Sequence, residues 1–317
     1  MKFYINSSET NQRLDKWIKR KFPGITQSLL EKLFRKKIIK LNGKKVKSSY
    51  KIKNDDEILL PGLIINNKNF KKRKILKKDL APLTKKIINS IIFKDDNKII
   101  INKPSGIAIH KGTKTDISLD DIKDKLRFDS NEDPKIVHRL DKETSGLLIL
   151  ARNYKESVYL SQQFKEKKII KFYLGILNDI PHKDKGVIIS KNKVNKNSYS
   201  KTNFFLIKKI NKRFCLVLFQ PITGTKRQIR EHCFKINCPI LGDKKFYLKK
   251  NNTSTFSKNF FLHSYKLKIS YKNNIVEEFT APLPIYFKKF CLKFKLPHST
   301  IFLNNFINTQ ILKGAKN

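Results

Sequence analysis

The chain is short of acid: Asp and Glu number 26 against 70 Lys and Arg, a formal net charge of +44 over 317 residues. Such an excess repels itself in a compact state and calls for a polyanion outside it, so RNA, DNA or an anionic membrane is the first partner to consider. Apolar runs of 18 or more residues are absent, which excludes an ordinary membrane-spanning helix. The opening Met1-Lys2-Phe3-Tyr4-Ile5-Asn6 lacks the apolar stretch of an export signal. Cysteine is scarce, with Cys215, Cys233, Cys238 and Cys291 and no Cys-x-x-Cys pair. These read as reduced thiols in a cytoplasm, and a disulfide scaffold is excluded. No Walker or dinucleotide-binding glycine pattern occurs and Gly-x-Ser-x-Gly is missing, so no nucleotide cofactor is indicated. Arginine is scarce too, at ten of the 70 cations. Its planar fork of donors cannot be imitated by Lys, so clustered Arg in such a chain points to geometry.

What remains is enough to fold. Hydrophobic residues make up 39% of the chain and aromatics 11%, sufficient to bury cores. Length divided by ~150 suggests about two domains. The joint richness in Lys, Asn and Ile is that of an A+T-biased coding sequence, so part of the charge reads equally as a solvated coat.

Residues 1–62 read as a small separate module. Leu14, Trp17 and Ile18 fall at helical spacing, and Pro23-Gly24 breaks the run. A second helix is expected to open on a Ser28-x-x-Glu31 capping box, with Leu29, Leu30, Leu33 and Phe34 as its apolar stripe. Asn42-Gly43 between two apolar runs signals a tight hairpin, and a last strand ends at Pro61-Gly62. Lys16, Lys19, Arg20, Lys21, Lys32, Arg35, Lys36 and Lys37 crowd the two helices. Basic helices followed by a hairpin resemble the αL RNA-binding module of a small-subunit ribosomal protein.

Residues 63–85, with Asn66-Asn67-Lys68-Asn69-Phe70-Lys71-Lys72-Arg73-Lys74, read as a basic linker. From 86 to 290 strands dominate: 98–102, 107–110, 147–151, 169–177, 186–190, 202–210, 214–220, 260–271 and 275–280. Helices are expected around 118–126, 154–166 and 225–236. Strands without regular βα alternation indicate an α+β domain with a large mixed, mostly antiparallel sheet. An amphipathic stretch, Ile285 to Leu296, is expected to pack on that sheet rather than on a membrane. Residues 291–317 read as a C-terminal tail, whose polar end beyond Leu296 is expected to fray.

The most specific segment is Val137-His138-Arg139-Leu140-Asp141-Lys142-Glu143-Thr144-Ser145-Gly146-Leu147-Leu148. A carboxylate follows a short strand, with a cation beside it and a tight turn after it. That arrangement suits a catalytic carboxylate, and it equally suits a structural ion pair.

His-Arg-Leu-Asp-x-x-Thr-Ser-Gly-Leu resembles the signature of the RluA family of pseudouridine synthases. Asn102-Lys103-Pro104-Ser105-Gly106, continuing to His110, is similar to that family's Asn-Lys-Pro-x-Gly stretch. Lys171-Phe172-Tyr173 is similar to its Lys-x-Tyr strand, and Gly224-Thr225-Lys226-Arg227-Gln228-Ile229-Arg230 to its third motif. Gly242-Asp243 and Leu262-His263 follow in the family's order. The resemblance implies a cofactor-free, metal-free isomerisation of uridine in RNA, by glycosidic cleavage and rejoining through C5. Asp141 matches the essential aspartate, a nucleophile at C1′ or a base at C2′. Tyr173 matches the tyrosine that packs on the uracil, and Arg230 the arginine that pairs with the aspartate and fixes its direction. Arg139 matches the arginine that lies near the vacancy left by the extruded nucleotide. Flipping costs a few kcal/mol, less in loops and bulges. The module and length are most similar to the C-type subgroup, which acts on large-subunit ribosomal RNA, with the D-type as the nearest competitor; a monomer is expected. A non-catalytic ribosome-assembly binder is the rival of another class.

The third motif departs from the family at two places. Thr225 stands where Arg is usual, and Arg227 where His is usual. Arg227 is expected to replace the missing grip on RNA from about one turn away. His138 reads as a structural hydrogen-bonding residue. His232, Cys233 and Cys238 fit no common zinc spacing and read as core.

Overall fold

The computed structural model describes residues 1–22, 25–65, 79–111, 117–191, 199–210, 213–247, 257–271 and 275–314. It divides into two compact units, Met1–Asp79 and Leu80–Asn317. The boundary falls inside the stretch expected as a linker. Pro23-Gly24 and the basic run 66–74 lie outside the described residues.

The first unit carries β1 (Lys2–Tyr4), α1 (Leu14–Lys21), α2 (Gln27–Arg35), β2 (Lys40–Leu41), β3 (Lys44–Lys45), β4 (Glu57–Leu59) and α3 (Gly62–Ile65). Its sheet runs β1-β4-β2-β3. Asn42 (φ 48°) and Gly43 (φ 73°) are both left-handed, as the tight turn between β2 and β3 requires. Leu14, Trp17 and Ile18 of α1 and Leu30, Leu33 and Phe34 of α2 close on Ile5, Ile39 and Ile58. The cap of α2 is Thr26, not Ser28. Thr26 has extended backbone and its hydroxyl accepts from the Leu29 amide (3.2 Å), so the first turn is capped two residues upstream of the expected box. Lys16, Arg20, Lys21, Lys32, Arg35, Lys36 and Lys37 are exposed.

The second unit begins with α4 (Ala81–Ile88), so residues 81–85 are helical rather than linker. There follow β5 (Ile91–Lys94), β6 (Lys98–Lys103), β7 (Lys135–Ile136), β8 (Ser145–Ala151), α5 (Tyr154–Lys165), β9 (Ile170–Leu177), β10 (Lys185–Lys191), β11 (Tyr199–Ile210), β12 (Phe214–Pro221), α6 (Gln228–Lys235), β13 (Leu262–Ser270), β14 (Val276–Thr280), α7 (Ile285–Lys293) and α8 (Thr300–Gly314). One sheet runs β10-β11-β12-β9-β13-β8-β6-β5, with β14 beside β13 and β7 beside β8. All its pairings are antiparallel except β8 with β13, where His263 faces Ser145 and Ser264 faces Gly146. That crossing is tight: a Cβ on Gly146 (φ +106°) would sit 2.2 Å from the Ser264 carbonyl oxygen.

Period-2 alternation fills both faces of the sheet. In β8, Leu148 and Leu150 pack with Ile99 and Ile101, whereas Leu147, Ile149 and Ala151 pack with Ile100 on the other side. In β12, Leu216 and Leu218 join Phe172, Leu174 and Ile176 of β9 on one face, and Cys215, Val217 and Phe219 the other. The four cysteines are buried free thiols. Burial pushes Cys215, Cys238 and Cys291 up to about 12 and Cys233 well above its ordinary value.

Three local expectations are corrected. Residues 107–110 form no strand; Ala108 makes a single isolated bridge to Ser118. Their carbonyls are taken locally, Ala108 O by the Leu119 amide (2.8 Å) and Ile109 O by the Asp120 amide (3.1 Å). Around 118–126 there are two 3-10 turns instead of a helix, the first held by a Ser118–Asp121 capping box. The segment beyond Leu296 does not fray where it forms α8, because Leu303 and Ile307 are buried with Phe287 and Cys291 of α7 against β9 and β12. Among the described residues no helix is long and apolar enough to cross a membrane.

Candidate active site

Asp141 lies on the loop between β7 and β8, and three neighbours hold that loop from below. Lys103, at the end of β6, is fully buried and its Nζ donates to Pro104 O (2.9 Å), Ile107 O (3.0 Å) and Lys142 O (3.3 Å). The Gly106 amide donates to the same Lys142 carbonyl (2.8 Å), and the Ser105 hydroxyl to Glu143 O. The Asn-Lys-Pro-Ser-Gly stretch is therefore the splint of the Asp141 loop. Burial pulls the Lys103 ammonium down to about 7, with Glu143 and Asp141 acting against that fall. On the far side of the loop, His263 Nε2 donates to Ala281 O (3.3 Å), leaving Nδ1 to accept from the Ser145 hydroxyl (2.9 Å). Burial holds this ring near 4, so it stays neutral.

The Asp141 carboxylate is 14% exposed and meets Arg230 of α6, Nη1 to Oδ2, at 3.3 Å. Arg230 is itself fixed by a bidentate pair to Asp243, Nε to Oδ2 at 2.7 Å and Nη2 to Oδ1 at 2.8 Å. Asp243 Oδ1 also accepts the Lys245 and Phe246 amides (2.8 and 3.0 Å). Burial works against the Arg230 charge, but Asp243 and Asp141 outweigh it and keep its pKa above the ordinary value. Stacked against Phe246 and Phe260 (5.6 and 5.0 Å), the guanidinium has one edge left, and its Nη1 meets Asp141 there, with Glu143 Oε2 farther off at 3.7 Å.

Asp141 opens into a cavity of about 380 Å³, whose wall includes Arg139, Tyr173, Lys171, Thr225, Arg227 and Arg230. All the site residues singled out from sequence, Asp141, Arg139, Tyr173, Arg227 and Arg230, thus meet at one cavity. Burial pushes the Tyr173 phenol up to about 12, with the Asp141 carboxylate adding to the rise, so it is a neutral hydroxyl at physiological pH. Arg139 is exposed and makes no ion pair among the described residues. Arg227 sits in the left-handed region (φ 60°) just before α6, and its buried Nε has no partner.

Gln228 clasps the turn that carries Arg227. Its Oε1 accepts from Thr223 Oγ1 (2.6 Å), the Thr225 amide (3.0 Å) and Thr225 Oγ1 (3.1 Å), while Nε2 donates to Lys201 O and Thr202 Oγ1 (both 2.9 Å). Thr225, in place of the usual arginine, thus serves the turn. His138 accepts the Ile149 amide on Nε2 (2.9 Å) and stacks on Phe164 at 4.4 Å. Burial pushes it down to about 3, so it is a structural acceptor rather than a base. His232 has both nitrogens hydrogen-bonded, to Ser200 Oγ (2.8 Å) and Thr202 Oγ1 (2.9 Å).

Lys103, Gln228 and Asp243 do not stand out as site residues from sequence, although all three lie inside the motifs. Lys171 belongs with them. Among the described residues its ammonium makes no hydrogen bond or ion pair, and burial brings it down to about 8.

The fold and this site define an RNA pseudouridine synthase preceded by an RNA-binding module. Residues 97–235 match the RNA pseudouridylate synthase family and residues 12–58 the S4 domain. Ribosomal large subunit pseudouridine synthase C of Rickettsia conorii is 35% identical over 88% of this chain and 96% of its own. The same-named protein of Rickettsia bellii is 37% identical over 89% and 98%. Human RNA pseudouridylate synthase domain containing 4 shares the fold, with TM-score 0.59 and 24% identity over 68% of this chain and 97% of that one. The chain belongs to the RluA family of pseudouridine synthases.

Proposed function

We infer that the chain acts as a monomer in the cytoplasm on large-subunit ribosomal RNA. There it converts specific uridines to pseudouridine, with Asp141 as the essential group. The reading rests on one observation above others. A carboxylate aimed by a guanidinium, itself locked by a second carboxylate, opens into a cavity of about 380 Å³ beside a tyrosine ring. The C1′–N1 bond breaks, the uracil turns, C5 bonds to C1′, the C5 proton leaves to solvent, and N1 takes up a proton, so composition is conserved. Retaining glycosidases supply the chemical precedent of a carboxylate that stabilises or traps an oxocarbenium-like centre. Asp141 adds to C1′ or removes the C2′ proton. A deuterium isotope effect at C2′ separates these routes. A Tyr173 ring stacked on the uracil contributes roughly 1–3 kcal/mol and keeps the freed base captive. Arg139 fills the stack that the extruded nucleotide leaves, and Arg227 contacts the RNA backbone in place of the absent arginine at 225. The C-type assignment is supported by the names of the two bacterial relatives, and the S4 domain by its exposed cations supports RNA as partner.

The test is tritium release from large-subunit rRNA labelled at uracil C5. Wild-type protein releases label, and Asp141→Asn and Asp141→Ala release essentially none while binding the same RNA normally. Retention of turnover in either variant would falsify the assignment. Mapping pseudouridines in rRNA from a deletion strain then names the positions and separates C-type from D-type.

A further inference from the structure

Two lysine ammonium groups lie close to the Asp141 loop, Lys103 fully buried and Lys171 half-buried, and their surroundings differ in kind. Lys103 is satisfied by three backbone carbonyls. Lys171 has none: it projects from β9, on the same face as Tyr173, into the cavity, without a donor–acceptor contact or a carboxylate within ion-pair range among the described residues. An unpaired charge even partly taken out of water is costly, and proteins ordinarily pair it or place it where a ligand will. Among the described residues the cavity wall near Lys171 offers no protein counter-charge. A Cβ built on Gly224 would lie 3.9 Å from its Nζ, which places the ammonium against the turn that carries Lys226 and Arg227. Arg227 Nε, on that turn, is buried and unpartnered as well. Two cationic donors without a protein partner, one buried and one half-buried, therefore lie beside one turn, and Asp141 is the one carboxylate among the described residues of the cavity wall.

We propose that Lys171 is an anion-binding residue of this cavity, whose ammonium takes a phosphate oxygen of the RNA strand at the nucleotide being turned, with Arg227 as its neighbour. The assignment rests on the cavity being the uridine site. It explains why a lysine is tolerated there: the RNA supplies the charge the protein withholds. It also predicts a conflict between stability and binding, since an apolar residue of similar length relieves the desolvation that Lys171 bears in the free protein.

The titratable and charged groups that share the cavity with Lys171 are His138, Arg139 and Asp141 on the β7–β8 loop, Lys165 on α5, Tyr173 on β9, Lys226 and Arg227 before α6, and Arg230 on α6. His138 is neutral and Tyr173 protonated throughout pH 6–10, given values near 3 and 12. Lys171, brought to about 8, titrates within that interval. Its charged form exists below that value, so affinity for RNA falls as pH rises through about 8.

The experiment uses the full chain and a transcript of large-subunit rRNA, with binding measured at equilibrium so that it does not depend on turnover. Lys171→Met is expected to weaken binding by roughly tenfold, as removing one charge-assisted hydrogen bond does. It should also flatten log K against log salt by about 0.7 for a single-stranded phosphate. The kinetic defect should sit in KM rather than kcat, the affinity loss above pH 8 should vanish, and the melting temperature should rise. Lys171→Arg restores binding at neutral pH and removes the alkaline decline. Unchanged affinity and salt slope in Lys171→Met, or a loss confined to kcat, overturns the assignment. Tritium release by wild-type protein on the same RNA reports separately on the uridine site: its failure would sink that reading while binding still judges Lys171.

Discussion

Asp243 never reaches the cavity as a reactant, yet the direction of Asp141 depends on it. Both Asp243 oxygens are committed to Arg230, and the third donor of that guanidinium is what holds Asp141. Asp243→Asn removes the bidentate counter-charge of a buried guanidinium and leaves it only the longer contacts to Asp141 (3.3 Å) and Glu143 (3.7 Å), a change that costs about 3–5 kcal/mol. The expected outcome is a lower denaturation midpoint and a fall in kcat with little change in RNA affinity. At this scale the sequence is readable wherever one residue does one job. Asp141, Tyr173 and Arg230 stand at fixed places in recognisable strings, and the three arginines expected to converge do line one cavity. Residues that act through a neighbour are harder to read. The role of Lys103 depends on a carbonyl 39 positions away, and that of Gln228 on a strand 26 or 27 positions away, distances that no local spacing encodes.

Between elements, the decisive device is the short splint of Lys103, Ser105 and Gly106 beneath the Asp141 loop. Its ammonium is lowered from 10.5 to about 7, so between those values the unfolded chain binds the proton that the native chain does not. Stability attributable to this residue therefore rises as pH goes from 7 toward 10. Chemical denaturation of wild-type protein against Lys103→Met over that range should show the difference widening in favour of wild type. Strands are legible because apolar residues alternate, so the long members of the sheet fall where period 2 puts them. Residues 107–110 show the same pattern and are no strand, since their carbonyls serve adjacent turns. The role of α8 is hidden for a related reason. Leu303 and Ile307 sit among exposed residues, and only the hydrophobic face opposite reveals that they are core. Leu303→Ala or Ile307→Ala should each lower stability by about 2–5 kcal/mol, measured in urea.

For the molecule as a whole, charge governs the encounter with RNA. Replacing Lys32 and Arg35 on α2, and Lys36 just after it, by Gln should reduce the salt slope of RNA binding by about 0.7 for each single-strand phosphate no longer neutralised. An unchanged slope would mean that these exposed cations face only water. Composition predicts a polyanionic partner, but it cannot separate a binding surface from a solvated coat, because both carry lysine in the open. The buried thiols give the chain a different kind of reporter. Cys215, Cys233, Cys238 and Cys291 are spread from the β12 interior to the α7 packing seam, all free and all shielded. An alkylating reagent added to native protein meets no available sulfur, so the order in which these four become labelled as the fold loosens traces which layer of the synthase domain gives way first.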